Sequence, residues 1–208
     1  MDFFDFHHHK RYISFGIYNP DLKSTLPDIP YSIGIHPKFI DINGIEEQFN
    51  WLESNITEHC IAIGECGLDS FADTNQKVQE EVFLRQIRIS NEVKKPVIIH
   101  CVRKFYEVIS FKKYAEQPMI IHGFNKKESV AEDLLKNNFY LSFGKAVLYN
   151  LSLQNTLKIT PLDKIFLETD NDDFNIRDLY LKAADIKGIS VEDLHQQILE
   201  NLETIKNG

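Results

Sequence analysis

Short apolar runs recur along the chain, and most of them carry or end in a residue capable of chemistry. "YSIGIHP" reaches His36, "CIAIGECGLD" carries Glu65 and Asp69, and "PVIIHCVR" carries His100 and Arg103. "PMIIHGFN" carries His122, "FYLSFGKA" carries Lys145, and "IFLETD" ends at Asp170. With "FFDFHHH" at the start and "YISFGIY" after it, the runs number eight. They are too short for helices and rich in Ile, Val, Phe and Tyr, side chains that suit a pleated surface, so each predicts a strand.

Helical patterns lie between many of them. "NQKVQEEVFLRQIRISNEV" places Val78, Val82, Ile89 and Val93 along one apolar stripe with Phe83 and Ile87 beside it. "NKKESVAEDLLKN" opens on Asn125 with Glu128 three residues later, a cap and its partner. "SVEDLHQQILENLETIK" starts at Ser190 as an amphipathic helix. Strands alternating with helices imply a parallel sheet with helical crossovers. Eight candidate strands favour an α/β fold closed as a TIM-like (β/α) barrel over an open doubly wound sheet. No Gly-x-Gly-x-x-Gly or Gly-Lys-Ser loop supports a nucleotide-binding alternative.

Composition bounds the reading without choosing it. The 208 residues are 43% hydrophobic and 26% charged, ordinary values for one globular domain spanning 1–208. A net charge of −8 argues against broad non-specific nucleic-acid binding but leaves room for a locally basic cleft. No signal-peptide pattern or membrane-spanning stretch is expected. Cys60, Cys66 and Cys101 are odd in number and lack metal-ligand spacing, and read as reduced thiols of a cytoplasmic protein.

The run "DFHHHK" is either a surface run, a tag remnant or part of a metal site. On a strand, side chains alternate faces, so His7 and His9 share one with Asp5 while His8 points away. In a barrel the strand ends converge on one rim, where active sites form. The polar residues expected there are His7, His9, Glu65, His100, His122 and Asp170. Six nitrogen and oxygen donors from five strands are about what two adjacent divalent ions need, and imidazole with carboxylate suits zinc, manganese, iron or similar metals.

The ordered series "DFHHH", "GIHP", "IGECGLD", "QEEVFLRQIRIS" with "KPVIIHCVR", "IHGFN", "LSFGKA" and "LETD" resembles the TatD family of metal-dependent deoxyribonucleases and related hydrolases. The likeness continues into "ISVEDLHQQILENLE" and covers most of the chain. It implies that His7, His9, Glu65, His100, His122 and Asp170 are metal ligands, with Glu65 bridging two ions and His8 outside the set. It also implies one or two divalent ions as cofactor (Mg, Mn or Zn) and exonuclease-like hydrolysis of DNA phosphodiesters. Three segments depart from the family pattern. Only Lys10 and Arg11 separate "HHH" from "YISFGIY", "NDD" replaces Ser-Pro after the Glu-Thr-Asp, and "DFNIRDLYLK" lacks the Asn-Glu-Pro stretch.

The first departure raises a physical objection, because parallel neighbours ordinarily need a crossover of roughly a dozen residues. The barrel is therefore expected to be imperfect around the second strand, with residues 12–18 antiparallel, outside the wall or not a strand.

The roles follow from the chemistry. A divalent ion acidifies bound water and polarises the oxygen of the bond to be broken. Asp170 is the candidate to orient that water and accept its proton, or else only a ligand; Glu65 is the other catalytic candidate. Arg103 and His36 are candidate substrate contacts, although His36 also reads as packing beside Pro37. Asp69 is placed to fix a metal-bound histidine from behind. Lys10, Arg11, Lys38, Arg103, Lys104, Lys126, Lys127 and Lys145 closely follow five of the strands, a collar suited to DNA or another phosphate-bearing substrate. The competing functions are hydrolysis of a small amide or lactone, which the same ligands serve, and a degenerate binding barrel.

Overall fold

The computed structural model describes residues 2–207, and each apolar run contributes a strand. In chain order these are β1 (Asp5–His8), β2 (Gly16–Tyr18), β3 (Tyr31–Ile33), β4 (Cys60–Asp69), β5 (Val97–Val102), β6 (Met119–Ile121), β7 (Phe139–Phe143) and β8 (Ile165–Leu167). They form one sheet in sequence order with every neighbouring pair parallel. At the seam between first and last strands, Asp170 N donates to His7 O at 2.9 Å and His9 N to Asp170 O at 3.5 Å. In the same seam the Asp5 carboxylate accepts from the Thr169 backbone at 2.9 Å and from its hydroxyl at 2.6 Å. The expected TIM-like barrel is the fold.

The expectation for residues 12–18 is corrected. β2 lies directly beside β1 and parallel to it, Asp5 opposite Gly16 and His8 opposite Tyr18. The strand is three residues long and begins at Gly16, so the connection comprises residues 9–15, not Lys10 and Arg11 alone. Extended, that segment spans roughly 23 Å, and the return along a four-residue strand is only about 13 Å. A turn suffices where a helix was thought necessary. Gly16 permits the close pairing, since a Cβ there would lie 2.4 Å from Asp5 O. Residues 19–30, between β2 and β3, likewise contain no helix. What is irregular about this sector is the missing helices, not the direction of the strand.

From β3 onward helices alternate with strands: α1 (Ile45–Ser54), α2 (Gln76–Val93), α3 (Phe105–Phe111), α4 (Glu128–Lys136), α5 (Leu151–Ile159), then α6 (Ile176–Lys187) and α7 (Val191–Lys206) after β8. α2 sends Phe83 and Ile87 into the main core and Val82 and Ile89 into a second cluster with Phe49 and Leu52 of α1. Asn75 caps α2 by accepting from Val78 N, and Ser190 caps α7 by accepting from Asp193 N at 3.0 Å. α4 starts later than its sequence suggests, behind Lys127 and not Asn125. Gly123 is left-handed and Phe124 N donates to Ser142 O at 2.8 Å, which holds the preceding loop against β7 and delays the helix.

Candidate metal centre

Strand geometry delivers the polar residues to one rim. In β5, Val97, Ile98 and Ile99 are fully buried, and the chain becomes half-buried from His100 onward as it emerges. Glu65 is carried by the long strand β4 between Gly64 and Gly67. Both glycines hold positive φ, and a Cβ on either would meet the backbone oxygen of Ile98 or His100 at 2.3 or 2.2 Å. Their lack of side chains lets β5 close against β4 and brings His100 to Glu65.

Glu65 stands at the centre. Its Oε1 lies 2.7 Å from His122 Nε2, 2.9 Å from His100 Nδ1 and 3.4 Å from His36 Nε2. Its Oε2 faces the other side, 3.6 Å from His7 Nε2 and 3.7 Å from His9 Nε2. Asp170 Oδ1 closes that second compartment at 3.4 Å from His9 Nε2 and 3.9 Å from His7 Nε2. Asp170 is left-handed (φ 50), a conformation that a non-glycine residue keeps only under constraint. Its two backbone contacts with His7 and His9 supply the constraint.

The donor set fits divalent metal. Two donors each about 2.1 Å from a tetrahedral ion lie about 3.4 Å apart, and the separations here, 2.7–3.9 Å, bracket that value. Among the described residues three groups have mutually close donor atoms: His7, Glu65 and His122; His7, His9 and Asp170; His36, Glu65 and His100. His7 is fully buried and neither ring nitrogen has a hydrogen-bond partner. Such an imidazole costs about 1–3 kcal/mol unless something satisfies it, and a cation does. His100 places both nitrogens 2.9 Å from carboxylates, Glu65 on one side and Asp69 on the other. A neutral ring has one N–H, so the second contact takes either a second ring proton or a cation shared with the carboxylate.

Electrostatics separates the groups further. Burial works against charge on Glu65, yet the surrounding histidines hold its carboxyl well below the usual range. Burial also opposes a charged His122, but Glu65 and Glu168 outweigh it and raise the imidazole well above its ordinary value. His9, against the same burial, is lifted to about 9 by Asp170 and Glu65. His36 goes the other way, lowered by burial.

The sequence-derived set thus comes together at one rim: His7, His9, Glu65, His100, His122 and Asp170. His36, read as packing or substrate contact, also reaches the centre. Asp69 sits behind His100 as expected. His8 faces elsewhere, buried near Gly16 and Tyr18, its Nδ1 accepting from Lys10 N. Asp5 shares the strand parity of His7, but its carboxylate is taken by Thr169. Glu168 was missed by the sequence reading. It is fully buried, accepts from Gly123 N at 2.6 Å and from the Ser142 hydroxyl, and lies 3.3 Å from His122 Nδ1. Its position two residues before Asp170 in "LETD" was the available signal.

A cleft of about 510 Å³ opens over Glu65, walled by His9, His36, Lys38, Phe39, His100, His122 and Asp170. Asn19, just past β2, forms another wall and is pinned by donating to Gly64 O at 2.9 Å and Ser32 Oγ at 3.0 Å. Arg103 does not line this cleft; it lines a separate depression between α3 and α4. Several collar cations are tied to acids. Lys38 lies 3.4 Å from Asp69, Lys145 lies 3.4 Å from Asp172 and Lys104 lies 3.2 Å from Glu107, while Lys10 donates to the main-chain carbonyl of Asp172 and meets no carboxylate. Among the described residues no helix is long and apolar enough to cross a membrane.

Comparison with known proteins extends the geometry. Residues 20–207 match the family described as TatD related DNase. The chain is 28% identical over 200 residues to the uncharacterized metal-dependent hydrolase YcfH of Escherichia coli (strain K12), covering 87% of this chain and 75% of that protein. It is also 28% identical over 164 residues to the deoxyribonuclease TATDN3 of Homo sapiens, covering 71% of this chain and 60% of that protein. In fold it is similar to the crystal structure of YJJV, a TatD homolog from Escherichia coli k12, with a TM-score of 0.82 at 19% identity over 99% and 98% of the two chains.

Proposed function

This chain belongs to the TatD related DNase family of metal-dependent hydrolases, and from that premise we propose that it hydrolyses phosphodiester bonds of DNA, exonuclease-like, at the rim just described. The observation that carries the reading is Glu65, whose two oxygens each face a separate group of imidazoles. In this reading His7, His9, Glu65, His100, His122 and Asp170 hold one or two divalent ions, with Glu65 shared between them and His36 beside the Glu65–His100 pair. Such ions, when bound, supply a Lewis acid for a phosphoryl oxygen and lower the pKa of water towards ~7.

The chain's own residues do the rest. Asp170, on the solvent side of the compartment it shares with His7 and His9, aligns the attacking water and takes its proton on a carboxylate oxygen. Asp69 fixes His100 and Glu168 fixes His122, so both rings keep their orientation without rearranging during the reaction. His36 lines the cleft and contacts substrate there, and Arg103 contacts the strand further from the scissile bond.

The test is cleavage of a labelled single-stranded oligonucleotide with and without added Mg, Mn or Zn. Metal-dependent cleavage that a chelator abolishes is the expected result. Elemental analysis should show lower metal content in a His7→Ala, His9→Ala double variant, and near wild-type content in His8→Ala. Equal content in the wild type and the double variant sinks the ligand assignment. Intact DNA alongside hydrolysis of a small amide or lactone would move the reaction to that substrate class.

A further inference from the structure

The depression between α3 and α4 joins three features that the metal centre does not use. Arg103 is exposed, left-handed (φ 58), and holds its guanidinium 4.6 Å from the centroid of the Phe71 ring. A non-glycine residue in that conformation is strained and persists where the surroundings impose it. Tyr106 and Phe71 are large rings left 80% and 63% exposed. Arg103 and Lys127 of the lining, and Lys126 next in sequence, have no carboxylate partner within ion-pair distance among the described residues, whereas Lys38, Lys104 and Lys145 are paired with acids.

The depression has a volume of about 340 Å³ and apolar walls that include Phe105, Ile109 and Val130. It opens on the loops that follow β5 and β6, the strands of His100 and His122. Arg103 is three residues from His100, within about 11 Å of chain.

Free cations beside exposed rings, over an apolar slot, are the chemistry of a single nucleic-acid strand. The cations meet phosphates and the rings meet unstacked bases. Asp133 in the lining disfavours a bare anion and offers an acceptor to the N–H donors of bases, the N3–H of thymine among them. A duplex has no free base faces to present to Tyr106. We propose that this depression is a second nucleotide subsite, holding the base of a strand's next nucleotide while the scissile phosphate lies over Glu65. This rests on the nucleic-acid reading of the metal centre and adds where the substrate is gripped.

The probe is a fluorescent hexathymidylate with phosphorothioate links, which resists cleavage, titrated against the metal-loaded protein and read by anisotropy. The wild type should bind it more tightly than thymidine monophosphate and than a duplex of the same length. Tyr106→Ala and Lys127→Ala should each weaken the hexamer about tenfold, in the range that base stacking and phosphate contacts supply. Tyr106→Phe should restore the stacking. Both residues are exposed, so melting temperatures should match the wild type and loss of fold is separable from loss of the subsite. Variants that bind like the wild type, a hexamer that binds no better than the mononucleotide, or a duplex that binds equally well would each overturn the subsite. If the wild type never cleaves DNA but shows the predicted binding pattern, the phosphodiesterase reading falls and the strand site stands. If it cleaves DNA while Tyr106→Ala and Lys127→Ala bind normally, the subsite falls alone.

Discussion

Glu168 shows how a single buried side chain controls a donor atom it does not replace. It receives Gly123 N and Ser142 Oγ and leaves one oxygen edge to His122 Nδ1, so the imidazole presents Nε2 to Glu65. Removing one oxygen's charge loosens that orientation. Glu168→Gln is expected to lower metal affinity about 10–100-fold, as removal of a ligand's supporting partner commonly does. Metal retained against a graded chelator series measures it, and wild-type retention would refute it. The six rim donors were legible because each stands at or just beyond the end of an apolar run. Glu168 was not, because a carboxylate that supports a ligand and one that is a ligand look alike in "LETD". His36 was undervalued for a related reason: nothing local to "GIHP" shows that β3 aims its ring at Glu65, 29 positions further along the chain.

Among the elements, β2 departs furthest from what its sequence promised. Its apolar run was visible, but its direction depended on where the strand starts and how far the preceding loop reaches, and neither is written in hydrophobic periodicity. Gly16 is the residue that settles the pairing. A Cβ there would meet Asp5 O at 2.4 Å and His8 Nε2 at 2.9 Å, so one of the two strands must shift. Gly16→Ala is therefore expected to destabilise by about 1–3 kcal/mol, as overpacking does, which for a chain of this size lowers Tm by about 3–10 °C. Gly188→Ala is the contrast. Gly188 is left-handed at the end of α6 with open space around it, so only the conformational cost of about 1 kcal/mol applies. Thermal melts of the two variants should rank in that order. The helix caps at Asn75 and Ser190 were readable because a cap is a short-range device. The later start of α4 was not, because a contact with β7 decides it.

On the scale of the whole molecule, a net charge of −8 and a basic sector coexist, and three of the six collar lysines, Lys38, Lys104 and Lys145, lie against acids. The collar inferred from the sequence thus keeps, without an acidic partner among the described residues, Arg103, Lys126 and Lys127 near one depression and Lys10 and Arg11 in the β1–β2 connection. A single strand that neutralises about three charges should bind with a log–log salt slope near −2, shallower than the full collar would give. A salt titration of hexathymidylate binding checks this, and a slope beyond about −5 would show that the paired lysines let go of their acids. Closure of the barrel has a temporal side as well. Asp5 and Thr169, which meet across the seam, are 164 positions apart. His7 and His9 are synthesised more than 160 positions ahead of their partner Asp170. His36, Glu65, His100 and His122 lie on or just beyond the consecutive strands β3 to β6. One group of these residues is therefore complete in the chain before the other. The group of His7, His9 and Asp170 closes only when β8 has docked against β1, whereas His36, Glu65, His100 and His122 stand on or beside strands that pair without it.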